Sequence, residues 1–288
     1  MKKKRVIVVC PQKSGSHLVG KLIVMLGYRT FGVSMSNGPG FSKLEYREMA
    51  KLAMRRYQRF VFELLRRLGL CKSFQKAATE RLLLAWNIRF GAPIVSRHGL
   101  RFVQEVHSRS DFAQIAKTKI NSLPENVCMV KHQLPLERTD GEFIINWAKT
   151  GEPALIFMYR DPRDVLCSFM RYLTGRTRQK GHGGWAEYHV YQSILENLPN
   201  DDERLMHAIH DPSFPGHREY SESLWLLRHP GVCKVRYEEL VGDAGGGSGE
   251  AQREALLRIF DHLGIDKDPE GYAREIYDTG TFTFSKGK

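Results

Sequence analysis

Eight residues, Pro11-Gln12-Lys13-Ser14-Gly15-Ser16-His17-Leu18, restrict the folds open to this chain more than any other stretch. The run before them, Arg5-Val6-Ile7-Val8-Val9-Cys10, is short, apolar and rich in β-branched residues, the pattern of a buried strand. After them Leu18, Val19, Leu22, Ile23 and Leu26 recur at helical spacing until Gly27 stops the pattern. Strand, tight polar loop and helix in that order aim backbone N–H groups and a helix N-terminus at one point, which is how a backbone holds an anion. Lys13 adds a full positive charge to that nest. The stretch therefore predicts a phosphate-type site.

The alternation continues down the chain. Residues 127–130 form a second apolar run, ending in Lys131-His132-Gln133-Leu134-Pro135, and residues 143–149 have the pattern of a brief helix. Residues 154–159 form a third run, ending in Arg160-Asp161-Pro162-Arg163-Asp164. There Asp161 is placed to cap a helix, Pro162 suits its first turn, and Val165, Phe169 and Tyr172 supply packing groups. The polar stretch 175–184 reads as a loop, 232–237 as a fourth strand, and the glycine-rich 242–249 as a flexible surface connection. Two amphipathic helices follow, over 250–263 and 269–277. Strands alternating with helices predict an α/β fold. It is a mostly parallel sheet flanked by helices on both faces, P-loop-like, with a helical insert (31–119) after the first βα unit. The expectation is a single domain over 1–288. Ligands of such sheets bind at the carboxyl ends of the strands, where this chain carries its Lys, His and Arg residues.

Charge says what class of ligand to expect. Lys and Arg outnumber Asp and Glu by 44 to 32, a net +12, which suits an anionic partner. Between residues 41 and 110 there are 15 Lys and Arg against 5 Asp and Glu, so the excess is concentrated in the insert. Its stretch 43–70 is amphipathic, with Leu44, Leu52, Phe60, Val61, Leu64, Leu65 and Leu68 near one face. Two readings stand: a solvated helix face over the sheet, or a basic surface that shapes an acidic acceptor's site or makes peripheral contact with an acidic membrane. The basic helices lack interleaved aromatics or a recognisable nucleic-acid module, so no nucleic-acid partner is expected. Five scattered cysteines without ligand spacing predict no metal and a reducing compartment, and no apolar run approaches the ~18 residues of a membrane span. The expected location is cytoplasmic.

A nucleotide-binding Walker loop needs Gly, four residues, then Gly-Lys-Ser/Thr, whereas here Lys13 precedes Gly15 and Ser16-His17 follow it. Pro-x-Lys-Ser-Gly-Ser instead resembles the 5′-phosphosulfate loop of the PAPS-dependent sulfotransferases. Arg160 through Phe169, with a Ser eight residues after the Arg, resembles that family's 3′-phosphate motif. Lys131-His132-Gln133-Leu134-Pro135 resembles its base-bearing element, and Val235-Arg236-Tyr237-Glu238-Glu239-Leu240 its late strand. Phe284-Ser285-Lys286-Gly287-Lys288 resembles the start of its last phosphate loop. The five matches come in family order and span nearly the whole chain.

The resemblance implies a sulfotransferase that moves a sulfuryl group from 3′-phosphoadenosine 5′-phosphosulfate (PAPS) to a hydroxyl or amine, leaving PAP, with no metal required. The acceptor class is a small natural product, a lipid-like alcohol or a glycoside. Lys13 would stabilise the leaving phosphate, with Ser14, Gly15, Ser16, His17 and Leu18 cradling it. Arg160 and Ser168 would hold the 3′-phosphate, helped by Ser285, Lys286 and Gly287. Tyr237 would approach the adenine, and Lys131 would assist the sulfuryl oxygens. The chain departs from the family in four respects. Gln12 is an extra loop residue. Gln133 stands where the base His is expected, and His132 lies one position earlier. The insert is longer than in compact members. The match stops at Lys288, before the family's Gly-x-Trp segment. His132 is the favoured base, with His182, Glu187 and His189 as alternatives. A non-catalytic PAP- or PAPS-binding protein and a P-loop kinase are the competing readings.

Overall fold

The computed structural model describes residues 3–31, 56–74, 126–136, 141–175 and 186–277. Most of the expected insert, His182 and Ser285, Lys286 and Gly287 lie outside the described residues. Five strands, β1 (Val6–Val9), β2 (Arg29–Phe31), β3 (Val127–Lys131), β4 (Ala154–Tyr159) and β5 (Val232–Arg236), form one sheet. Their order is β2-β3-β1-β4-β5 and every pairing is parallel. Four of them coincide with the apolar runs of the sequence. The fifth, β2, is only three residues long, too short to carry a periodic signal, and it exists because Arg29 and Phe31 pair with Val127 and Met129.

The helices in chain order are α1 (Ser16–Met25), α2 (Arg56–Arg67), α3 (Gly141–Thr150), α4 (Pro162–Leu173), α5 (Ala186–Glu196) and α6 (Asp201–His210). They continue with α7 (His217–Ser221), α8 (Trp225–Arg228), α9 (Tyr237–Leu240), α10 (Gly249–Leu263) and α11 (Pro269–Ile276). The strand alternation sorts them into layers. Val6, Val8, Cys128, Val130, Ile156 and Met158 pack on α1, α10 and α11 on one face. Ile7, Val9, Met129, Leu155 and Phe157 pack on α3 and α8 on the other. A right-handed crossover explains the division. The β1-to-β2 connection runs one way along the sheet, whereas β3-to-β4 and β4-to-β5 run the other, so their helices fall on opposite faces. A satellite cluster of Val165, Phe169, Leu173, Tyr188, Tyr191, Leu195 and Phe214 joins α4, α5 and α6 beyond the sheet.

Two features position the site. In the sheet register Val9 is level with Lys131 on β3 and Phe157 on β4, so β1 and β3 end together and β4 runs two residues further, to Tyr159. The chain leaves β1 toward β2 and leaves β4 toward β5, in opposite directions, which opens a crevice between the ends of β1 and β4.

One expectation is corrected. The glycine-rich 242–249 is a closed turn rather than a flexible connection. Gly247 N donates to Gly242 O at 2.7 Å, Gly249 N to Asp243 Oδ1 at 2.7 Å, and Ser248 caps α10 through Ala251 N. A Cβ on Gly247 would lie 2.6 Å from Glu238 O, so here glycine permits a close backbone approach instead of supplying flexibility. Among the described residues no helix is long and apolar enough to cross a membrane.

Candidate functional site

The loop after β1 is built under backbone constraint. Lys13 adopts φ 64°, and no other described non-glycine residue has a positive φ. A left-handed non-glycine costs ~1–2 kcal/mol and persists only where surrounding contacts enforce it. Ser14 N donates to Pro11 O at 3.1 Å, closing the turn, and Gly15 follows at φ 98° as N-cap of α1. A Cβ at Gly15 would sit 2.6 Å from Tyr237 Cδ2 and 2.7 Å from Met158 Cε, so only glycine fits there. No side chain caps α1, and its first turn carries no acidic residue. The N-terminal end of that helix therefore offers its amides and its positive dipole to an anion.

The extra residue Gln12 has a structural role. Its side chain accepts a hydrogen bond from Tyr188 Oη and donates to Glu219 Oε1 at 3.4 Å, tying the loop to α5 and α7. Ser14 is fully buried, and its hydroxyl lies 2.7 Å from Tyr220 Oη. Tyr220 Oη in turn donates to Arg160 O at 2.9 Å and accepts from Arg160 N at 3.1 Å, so Ser14 is the donor in the third bond. One phenol thus links the loop after β1 to the end of β4.

Arg160 spans the crevice from the β4 side. Its Nη1 donates to Lys13 O at 3.4 Å, its Nη2 lies 3.5 Å from Asp164 Oδ2, and its Cζ sits 4.5 Å from the centre of the Tyr237 ring. Its Nε is buried and makes no hydrogen bond among the described residues. A planar cation held face-down on an aromatic ring, with a buried donor still to be satisfied, is arranged to pair with an oxyanion. The helix after it forms as the sequence predicts. Asp161 caps α4 through Arg163 N, with Pro162 in the first turn. Hydrogen bonds from Arg163 hold the Asp161 carboxyl down at about 2. Asp161 N donates to Glu238 Oε1 at 2.9 Å, joining the ends of β4 and β5.

Helical spacing carries the site along α4. Asp164, Ser168 and Tyr172 are four residues apart, so they share one face. Asp164 meets Arg160 at one end of that face, and at the other the Tyr172 ring lies 3.3 Å from Lys13 Nζ, with Phe169 at 5.7 Å. Half-buried Ser168 lies between them on the stripe. Burial lowers the Lys13 pKa from 10.5 to about 7. Burial first, and then the Lys13 charge, lower His17 to about 4, so His17 is neutral near physiological pH. Leu18 packs its side chain into the core, leaving only its amide to the nest.

At the end of β3, Lys131 is fully buried. By alternation it lies on the sheet face of Val127 and Met129, and Cys10 N donates to its carbonyl at 2.8 Å. His132 Nδ1 lies 3.1 Å from Cys10 O. A carbonyl only accepts, so Nδ1 carries the proton and Nε2 is the basic nitrogen. Trp225 Nε1 donates to Leu134 O at 2.8 Å and steadies the loop. Gln133 Oε1 is buried without a hydrogen-bond partner among the described residues. Glu187 and His189 are exposed on α5, while Tyr188 between them is buried.

The structure thus gathers Lys13, Ser14, Gly15, Ser16, His17, Arg160, Ser168 and Tyr237 around one crevice. Tyr237 holds Arg160 and Gly15 in place there. Sequence reasoning missed Tyr220, Tyr172 and the Gln12–Tyr188–Glu219 link. Tyr172 was within reach by extending the Asp164–Ser168 face one turn. Tyr220, 206 residues from Ser14, had no local signal. No cluster of metal-ligating side chains occurs among the described residues.

No family model and no curated protein matches the chain. Among solved structures it is similar to mouse sulfotransferase SULT7A1 complexed with PAP. That match has 13% identity and a TM-score of 0.43, over 97% of this chain and 64% of that one. It is also similar to retinol dehydratase in complex with androsterone and inactive cofactor PAP. There the identity is 15% and the TM-score 0.42, over 96% of this chain and 63% of that one. The chain therefore spans less than two thirds of the length of these structures. At such distances the chemistry of the site is read from its own geometry.

Proposed function

We propose that the chain is a PAPS-dependent sulfotransferase acting on a hydroxyl or amine of a small acceptor. The observation that carries the reading is Arg160. Its guanidinium reaches the carbonyl of Lys13 across the β1–β4 crevice while its buried Nε lacks a hydrogen-bond partner among the described residues. Two cationic groups on opposite sides of one crevice suit a ligand with phosphates at both ends. The strained Lys13, the uncapped N-terminus of α1 and the orphaned Arg160 donor fit such a doubly phosphorylated nucleotide.

When bound, PAPS supplies a sulfuryl group on a phosphate leaving group. Lys13 and the first-turn amides of α1 neutralise charge on the departing phosphate oxygen, which lowers the barrier most when the donors are already oriented. Arg160 and Ser168 hold the 3′-phosphate. His132 Nε2 takes the acceptor proton as the acceptor oxygen or nitrogen bonds to sulfur, and the Cys10 carbonyl keeps the ring in the required tautomer. Gln133, with its carbonyl turned inward, favours one other reading, a PAP-binding protein without transferase activity. Labelled PAPS incubated with pooled hydroxyl and amine acceptors separates the two. Transfer of label supports the enzyme, and tight PAP binding with no transfer to any acceptor supports the binder. Absence of PAP binding refutes both.

A further inference from the structure

Helix α2 (Arg56–Arg67) carries exposed apolar side chains along one side. At 100° per residue, Phe60, Leu64 and Leu68 form one stripe with Val61 beside it. Leu68 N donates to Leu64 O at 3.3 Å, so the stripe continues past the end of the helix. These side chains are exposed, Phe60 by 75% and Leu68 by 63%, and Leu70 just beyond them by 67%. The helix makes its inward contact elsewhere on its circumference. Phe62 is fully buried, and its ring stacks on Phe74 at 6.2 Å beside Cys71. Phe62 lies roughly 150° around the helix from the centre of the stripe, so the outward apolar side is a second face rather than the edge of a buried one. Five large exposed apolar residues within 60–70 make a patch of the kind that soluble surfaces avoid unless something binds there.

Arg67 borders the stripe, while Arg59 and Arg66 lie on the opposite, polar side of the helix next to Phe62. All three are exposed, and Glu63 is engaged by Arg66 Nε at 2.7 Å. The surrounding segment, 41–110, holds 15 of the Lys and Arg residues against 5 acidic ones. A second copy of the chain would bring the same cationic segment against this one, so self-association is disfavoured. We infer that α2 docks in the plane of an anionic lipid bilayer. Phe60, Val61, Leu64 and Leu68 enter the headgroup–acyl boundary, and the arginines stay at the level of the lipid phosphates. Neither element suffices alone, since the apolar stripe is short and exposed arginines without it give only salt-screened attraction.

The test uses the full chain and sedimentation with vesicles. The protein should pellet with phosphatidylcholine–phosphatidylglycerol vesicles, should stay in solution with pure phosphatidylcholine, and should release as salt rises. A Phe60→Trp variant should show a blue shift in emission, relative to the parent chain, only with the anionic vesicles. Removing both charges in Arg66→Gln/Arg67→Gln should weaken binding roughly 30-fold, at about fivefold per charge. Leu64→Gln/Leu68→Gln keeps the charge and, because both residues are exposed, should keep the circular dichroism and melting temperature while weakening binding about tenfold or more. Absence of pelleting at low salt overturns the inference, and so does pelleting unaffected by the leucine pair. Two other results also overturn it. One is a dimer in velocity sedimentation that the leucine pair abolishes. The other is retention on an acidic polypeptide without retention on vesicles.

Discussion

Lys13 makes the sharpest test of the site, because its environment couples anion binding to a proton. In the ligand-free protein burial against Tyr172 and Phe169 lowers its pKa to about 7. At pH 8 only about one molecule in ten then carries the charge. A phosphate dianion beside the amine favours the ammonium form and raises the pKa. Binding of PAP at pH 8 should therefore take up about 0.8 proton per site for a bound pKa of about 9, and about 0.9 for about 10. The sign follows directly. Below pH 7 Lys13 is protonated with or without ligand, so it contributes no slope there. Above that, each pH unit costs about tenfold in affinity until the bound-state pKa is passed. Phosphate monoesters have a second pKa near ~6, so from pH 8 upward the ligand itself contributes almost no slope.

Isothermal titration of PAP at pH 8, in buffers of different ionisation enthalpy, reads the proton count as a slope. Lys13→Arg is the control. Its guanidinium stays charged throughout, so proton uptake should vanish while an anion can still bind. His17, held near 4, stays neutral at this pH and adds nothing. A slope of zero in the parent chain refutes the reasoning, as does an unchanged slope in Lys13→Arg. Absence of any binding heat would instead refute the donor assignment, leaving the titration argument aside.

Three further outcomes follow from the same contacts. Tyr220→Phe removes the hydroxyl shared by Ser14 and Arg160, leaving buried groups without their partner at a cost of ~1–3 kcal/mol each. Melting temperature and PAP affinity should both fall, and Ser14→Ala added to it should cost less than the sum of the two. Gly15→Ala brings a Cβ against Tyr237 and Met158 at a positive φ, so chemical denaturation should register a loss of about 1–3 kcal/mol together with lost PAP binding. An unchanged denaturation midpoint would contradict that geometry. His132→Ala should reduce turnover by ~10²–10⁴-fold while PAP affinity, measured by titration, stays as it was. Full retained turnover would move the base to another residue.

Much of the sheet was legible because its central strands are buried on both faces. The runs 6–9, 127–131 and 154–159 are nearly continuous in apolar residues, while the edge run 232–236 keeps Val232, Cys233 and Val235 as its apolar signal. The helices with local signals were legible too: α4 from Asp161 and Pro162, α10 and α11 from their apolar periodicity. What escaped is what depends on partners. β2 owes its conformation to the edge of β3, and α5 to α7 form a satellite layer whose aromatic residues meet only when the chain folds back. The glycines of 242–249 looked like slack because a close backbone approach and a flexible linker use the same residue.

The candidate site divides along the same line. Its charged groups sit at strand ends, where a parallel sheet puts ligands, so Lys13 was legible in its loop, and Arg160 from its strand end together with the family resemblance. The groups that fix their separation could not. Tyr220 reaches Ser14 across 206 residues and Arg160 across 60, and Tyr188 reaches Gln12 across 176. Those bonds decide whether two cations form one ligand site or two, because a shift of ~1 Å in such a constellation can cost ~10²-fold in rate. Lys13 also pays a conformational cost that Gln12, Ser14 and Gly15 must hold against solvent and chain entropy. A loop motif therefore announces an anion nest, while the separation of Lys13 and Arg160 rests on a phenol on α7 that no motif contains.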